Sequence, residues 1–280
     1  MTTLIKSLND IKKAINISKR DLGFVPTMGA LHDGHISLIK ACKQECKTTV
    51  VSIFVNPKQF SPGEDFEKYP RDLDADFKIC KELDVEYIFV PDVNEIYPEE
   101  NTEKIITPPK ALTEMLCGLS RKDFFPGIAT VVKRLLEIIS PDYAYFGEKD
   151  LQQLFVIRWL VKEYKMPTFI RACPIIREKN GLACSSRNRY LSEDNKKLAS
   201  RLYESLQMAR RDVKSGIFTA SKAALESLVY LSQFSDIKVE YLEARSKEKL
   251  ERVTDNRTKG FYFLIAARVG DVRLIDNIEV

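Results

Sequence analysis

The chain has only two histidines and one tryptophan in 280 residues, and what it lacks narrows what it can be. No apolar run approaches the roughly 18 residues that a membrane span requires. No charge of one sign dominates: 44 basic against 40 acidic residues leave a net charge of +4, too balanced to argue for nucleic acid. Any attraction for anions must therefore be local. No CxxC pair occurs among the six cysteines (42, 46, 80, 117, 173 and 184), so a zinc ribbon or disulfide scaffold is not indicated. Scattered cysteines of this kind fit small buried hydrophobes in a reducing compartment. A zinc site would also need further ligands, and no third histidine exists.

The two histidines stand together. Residues 24–46 read FVPTMGALHDGHISLIKACKQEC. The apolar pair Phe24 and Val25 ends at Pro26 and opens a loop bearing Gly29 and Gly34, where backbone can take conformations a side chain would block. From about His35 the residues His35, Leu38, Ile39, Cys42 and Cys46 fall on one helical face. The pattern is strand, glycine loop, helix, which in an open α/β sheet puts the loop at the carboxyl ends of the strands. N–H groups of a first helical turn there favour phosphate. His32 and His35, three apart, can present their rings to one side as donors to a polyphosphate.

The remaining chain alternates at the rhythm of a parallel sheet. Strands are expected at Thr48–Val55, Val85–Val90, Tyr143–Phe146 and Thr168–Ala172. Helices are expected at Asp72–Leu83, Ile128–Ile139 and Leu151–Tyr164, with a short extended piece at Ile105 and Ile106. The N-terminal segment, with Leu4, Leu8, Ile11 and Ile15 at helical spacing, reads as an amphipathic helix and not as a signal or transit peptide. The expected location is cytoplasmic, with no membrane association. After about residue 176 the order changes: two long polar helices (Ser192–Ser215, Ala220–Leu231) precede three strands (Ile237–Leu242, Phe261–Ala267, Val272–Ile275). The fold class is thus α/β, a doubly wound Rossmann-like parallel sheet over residues 1–175 with a smaller C-terminal α+β domain over 176–280.

Two further loops carry polar chemistry. Gly147, Glu148, Lys149 and Asp150 follow a strand, and a lysine there can meet phosphate charge. Residues 180–189, NGLACSSRNR, place Ser185, Ser186 and Arg187 after a glycine turn, where hydroxyls and a guanidinium fork can wrap anionic oxygens.

PTMGALHDGH resembles the adenylate-forming loop of the class I aminoacyl-tRNA synthetase and nucleotidyltransferase superfamily. With GEKD at 147–150, SSRN at 185–188, FEKYPRDLDAD at 66–76 and GLSRKDFFPGIAT at 118–130, the chain most resembles the pantothenate synthetase (pantoate–β-alanine ligase) family. The match extends over most of residues 22–191. The resemblance implies ATP contacts at Met28, Gly29, Ala30, Leu31, His32, Asp33, Gly34, His35, Gly147, Glu148, Lys149, Asp150, Ile176, Cys184, Ser185, Ser186 and Arg187. It implies pantoate at Gln59 and Gln153, with β-alanine also near Gln59. His35 is the expected catalytic donor, Mg²⁺ is expected with ATP but no protein metal ligand is assigned, and a homodimer is expected.

Three positions depart from the family pattern. Cys184 replaces a larger apolar residue and, on a loop, is expected to be accessible; Asn180 replaces aspartate; Phe124 replaces histidine. The implied reaction joins pantoate to β-alanine through a pantoyl adenylate, releasing AMP and pyrophosphate. Two alternatives stand beside it: a nucleotidyltransferase that leaves a nucleotide on a phosphorylated substrate, and a nucleotide-binding regulatory module without catalysis.

Overall fold

The computed structural model describes residues 1–16, 21–98 and 105–280, and the chain divides into two compact units. The first comprises Met1–Glu148 and Gln152–Pro174, the second Lys149–Leu151 and Ile175–Val280.

The first unit opens on strand β1 (Thr3–Ile5) and helix α1 (Leu8–Asn16). The spacing of Leu4 with Leu8, Ile11 and Ile15 predicts one continuous helix. The residues TLI instead pair in parallel with a later strand, and only Ile11 and Ile15 keep the buried helical stripe. Positions 17–20 of that segment lie outside the described residues. There follow β2 (Leu22–Thr27), α2 (Asp33–Glu45), β3 (Thr48–Ile53), α3 (Leu73–Glu82) and β4 (Tyr87–Phe89). Three short helices that the periodicity does not show come next: α4 (Val93–Ile96), α5 (Lys110–Thr113) and α6 (Cys117–Ser120). A helix of one turn is too short to display a period. Ile106 is in neither sheet; its N–H donates to Thr130 Oγ1. Then come α7 (Phe124–Ile139), β5 (Tyr143–Gly147), α8 (Leu151–Glu163) and β6 (Phe169–Cys173).

The six strands form one sheet in the order β1-β4-β3-β2-β5-β6, every adjacent pair parallel. The β-branched run TTVVSI of β3 is buried throughout, as a central strand covered on both faces demands. Helix α2 packs on β2, β3, β5 and β6 through Leu38, Ile39 and Cys42, while α1 packs with α7 and α7 reaches β2. Strand order proceeds one way from β2 through β3 and the other way from β5, so the β2–β5 boundary is the topological switch point. The loops after β2 and β5 both begin there.

In the second unit, α9 (Glu193–Lys214) and α10 (Ala220–Leu231) pack on an antiparallel sheet of β7 (Ile237–Ser246), β8 (Phe261–Val269) and β9 (Val272–Glu279). Their core is aliphatic with Phe261 and Phe263, and the alanines of α9 and α10 (199, 209, 220, 223) permit close helix packing. Ser192 caps α9 through Asn195 N–H, and Thr219 caps α10 through Lys222 N–H. This is the α+β unit that helices followed by strands imply.

Candidate active site

The loop after β2 is built from the inside. Thr27 Oγ1 donates to the Ser52 carbonyl at 2.7 Å and accepts the Gly29 N–H at 3.1 Å. Gly29 has φ +78°, and a Cβ there would meet Asp76 Oδ2 at 2.8 Å and Ile53 Cγ2 at 2.9 Å. Ala30 follows at φ +51°, a left-handed conformation that costs a non-glycine residue about 1–2 kcal/mol. What holds it is Asp76 on α3: its carboxylate accepts the Ala30 N–H at 2.9 Å and the Leu31 N–H at 2.7 Å, and is only 2% exposed. The amides of residues 29–31 are thus committed inward. Any donor this segment offers a phosphate must come from beyond Leu31.

Those donors are the histidines. The helix starts at Asp33, two residues earlier than the periodicity indicates, because His32 is itself the N-cap. Its Nδ1 accepts the Gly34 N–H at 3.1 Å. In a neutral ring the proton then sits on Nε2. The rings of His32 and His35 lie 4.1 Å apart, centroid to centroid, tilted by 39°. Ser37 Oγ closes the first turn by donating to Gly34 O at 2.7 Å.

Gln59 follows β3 on a single 3-10 turn and is buried. Its Oε1 accepts from Asn56 Nδ2 at 3.1 Å, and its Nε2 lies 2.8 Å from Met28 Sδ, which brings two of the sequence-selected residues together. Asn56 also donates to Gly127 O and accepts from the Tyr97 hydroxyl at 2.9 Å. Gly127 is required here, since a Cβ would stand 2.2 Å from Lys58 O. The adjacent glutamines of α8 part company. Gln152 is buried and spans the Cys117 N–H and the carbonyls of Leu112 and Met115, a structural brace. Gln153 is half-buried and one position round the helix.

Gly147 ends β5, and Glu148–Asp150 form a 3-10 turn running directly into α8. The Lys149 Nζ lies 3.9 Å from Asp150 Oδ2, and Lys149 O accepts from Asn277 Nδ2 at 3.2 Å.

In the second unit a hairpin joins Ile176 to Cys184: the Cys184 N–H donates to Ile176 O at 2.9 Å, and Arg177 pairs with Ala183. Gly181, at φ +92°, makes its turn against the Tyr203 ring. Asn180 Oδ1 accepts the Leu182 N–H at 3.1 Å, as an aspartate could, while its Nδ2 donates to Lys196 O at 3.3 Å, as an aspartate could not. That departure from the family pattern is structurally complete. Cys184 is buried at 8% exposure, where its loop position suggests an accessible thiol. Ser185 caps the 3-10 turn Ser186–Tyr190 by accepting the Arg187 N–H at 3.3 Å. Ser186 is buried and Arg187 half-buried. Asn188 Nδ2 donates to Glu178 Oε1 at 2.7 Å and Ala183 O at 3.1 Å, fastening the turn to the hairpin.

Sequence reasoning misses Asp76, Asn56, Arg177 and Asp276. Asp76 lies in the stretch DLDAD, where Asp72 caps α3 and Asp74 is exposed. Three acids at the start of a helix all look like solvated first-turn residues, and only the fold singles out the third.

Two parallel-strand ends flanking a switch point, with paired histidines at a helix start, are a geometry for nucleotide phosphates. Known proteins resemble the chain over nearly its whole length. The pantoate-beta-alanine ligase family matches residues 1–279. A pantothenate synthetase of Caldicellulosiruptor bescii is 43% identical over 278 residues, covering 99% of this chain and 97% of that one. The crystal structure of pantothenate synthetase from Thermus thermophilus superposes with a TM-score of 0.94 at 37% identity, covering 98% of each chain. A pantoate-beta-alanine ligase from Francisella tularensis, crystallised with beta-gamma ATP and β-alanine, gives 0.83 at 36% identity, over 99% of this chain and 97% of that one. Since the likeness runs from the histidine loop through the second unit to the last strand, this chain belongs to the pantoate–β-alanine ligase family.

Proposed function

We propose that the protein condenses pantoate with β-alanine at the expense of ATP, releasing AMP and pyrophosphate. A carboxylate resists attack by an amine because it is anionic and lacks a good leaving group. Adenylation removes both obstacles. A pantoate carboxylate oxygen attacks the α-phosphorus and the bond to the bridging oxygen of pyrophosphate breaks. The β-alanine amine then attacks the acyl carbon, loses a proton and expels AMP. Such transfers depend mainly on positioning and on donors aimed at growing charge.

The observation that carries this reading is the histidine pair held at the start of α2 in a chain of this family. His35 is the donor to the departing pyrophosphate, with His32 Nε2 beside it. Lys149, Ser185, Ser186 and Arg187 supply further phosphate contacts. Met28, Gly29, Ala30, Leu31, Asp33 and Gly34 shape the nucleotide loop, Gly147, Glu148 and Asp150 the second, and Ile176 and Cys184 give apolar contact. Gln59 and Gln153 bind pantoate, and Gln59 also adjoins β-alanine. Mg²⁺ enters as the counter-ion of the triphosphate, held mostly by phosphates and water. Residues 1–175 act as the nucleotide- and pantoate-binding domain and 176–280 as the domain bearing the SSRN turn. The working form is a cytoplasmic homodimer.

Pantoate-dependent ATP–pyrophosphate exchange without any amine tests the scheme. Exchange with pantoate alone is expected. A strict requirement for β-alanine would mean a concerted path, and ADP as product would remove adenylation from the account.

A further inference from the structure

The second unit buries an acid that the reaction scheme does not use. Asp276 on β9 is 5% exposed and gripped by a full guanidinium fork: Arg177 Nη1 donates to Oδ2 at 2.6 Å and Nη2 to Oδ1 at 2.9 Å. The same guanidinium donates to Gly181 O at 3.1 Å and Asn277 O at 3.2 Å, and lies 3.5 Å over the Tyr203 ring. Desolvating such a pair costs about as much as its attraction returns, so net stability is a poor reason for it. Geometry is a better one. Arg177 belongs to the hairpin whose far strand leads into Ser185–Arg187, and Asn188 ties that turn back onto the hairpin. The residue after Asp276 reaches the other way: Asn277 Nδ2 donates to Lys149 O. Two neighbours on one strand therefore reach both segments of this unit that carry phosphate-binding candidates: Asn277 holds the Lys149 backbone directly, and Asp276 holds the Arg177 side chain of the hairpin that leads into the Ser185–Arg187 turn.

We propose that Arg177, Asp276 and Asn277 form a positioning cluster that sets the spacing between Lys149 and the Ser185–Arg187 turn. None of the three touches substrate. The inference rests on the functional reading above, because it matters only if those two segments act on one triphosphate. A guanidinium fork is needed because a lysine could not hold both carboxylate oxygens and two carbonyls in one plane. Asn277 is needed because it donates through a side chain fixed by β9 to a carbonyl in the turn preceding α8.

The test separates positioning from mere stability. Asn277→Ala leaves the ion pair intact and is expected to fold. It should lower pantoate-dependent ATP–pyrophosphate exchange about 10- to 100-fold through kcat. Capture of supplied pantoyl adenylate by β-alanine, where no β- or γ-phosphate is present, should change by less than about threefold. In a Lys149→Ala background, Asn277→Ala should add nothing further, since its effect passes through Lys149. Arg177→Lys should show the same split between half-reactions. Equal losses in both half-reactions, or an additive double mutant, would overturn the positioning role while leaving the ligase reading in place. A wild-type enzyme without pantoate-dependent exchange would overturn the ligase reading, and the positioning role with it.

Discussion

Replacing Asp76 by alanine removes one side chain and strands two amides. The carboxylate accepts the N–H groups of Ala30 and Leu31, residues that are 0% and 2% exposed. A hydrogen bond to a charged group contributes about 1.5–3 kcal/mol, so loss of both with the amides still buried would cost about 3–6 kcal/mol. The loop has a way to relax. Ala30 sits at φ +51° only because its N–H is held, and release of that conformation returns about 1–2 kcal/mol. The expected net loss is about 2–4 kcal/mol, or roughly 5–15 °C in the first thermal transition. Relaxation moves the His32 cap and with it the ring of His35, and a displacement near 1 Å can cost about 100-fold in rate.

Urea unfolding followed by far-UV circular dichroism gives the first number, and pantoate-dependent ATP–pyrophosphate exchange gives the second. Asp76→Asn keeps one acceptor but turns an amide donor toward the other N–H, so it too should fail to restore exchange. If Asp76→Ala unfolds within about 0.5 kcal/mol of wild type and exchanges at the wild-type rate, the carboxylate does not brace the loop. Something other than Asp76 would then aim the histidines.

Three other outcomes are expected. His35→Ala should slow pantoyl adenylate formation about 10²–10³-fold and slow the reaction of supplied adenylate with β-alanine much less; the reverse order would assign His35 to the amine step. Burial pushes the thiols of Cys42 and Cys80 up to about 12, and all six cysteines are buried and outside any disulfide. Native protein should therefore expose no fast-reacting thiol to a disulfide reagent and six after denaturation, and a rapid modification mapped to Cys184 would contradict its burial. Glu45 is held below its ordinary value of 4.5 chiefly by hydrogen bonds from Arg171, with a further one from the Tyr145 hydroxyl. A depressed carboxylate stabilises above its unfolded value and loses that contribution as pH falls through its folded one. Wild type and Glu45→Gln should thus differ in stability at neutral pH, and the gap should narrow as pH falls below 4.5; a gap that does not change with pH would refute the ion pair as its source.

The parallel sheet is legible in the sequence because β3 and α2 obey local rules. A run such as TTVVSI carries no charge and is β-branched at five of its six positions, and Leu38, Ile39 and Cys42 repeat at the helical period, so each segment specifies its own burial. The edge strand β1 is not legible. Three residues carry no period, and Leu4 fits a helical stripe with Leu8, Ile11 and Ile15 as well as a strand until β4 is there to pair with. The polar residues divide in the same way. His32 and His35 can be read as a pair because the spacing that makes them neighbours lies within four residues. The acid that fixes their loop sits more than forty residues away and is chemically identical to Asp74, two positions before it. Asp76 differs only in which side of α3 faces the β2 loop. A residue whose function is to hold a backbone leaves no local trace, since any carboxylate could accept an N–H and only the fold decides which one does. The same holds for Asp276, about a hundred residues from the arginine that grips it. In this chain the groups that would touch substrate are visible as motifs, and the groups that would aim them become visible only once the strands are put in order.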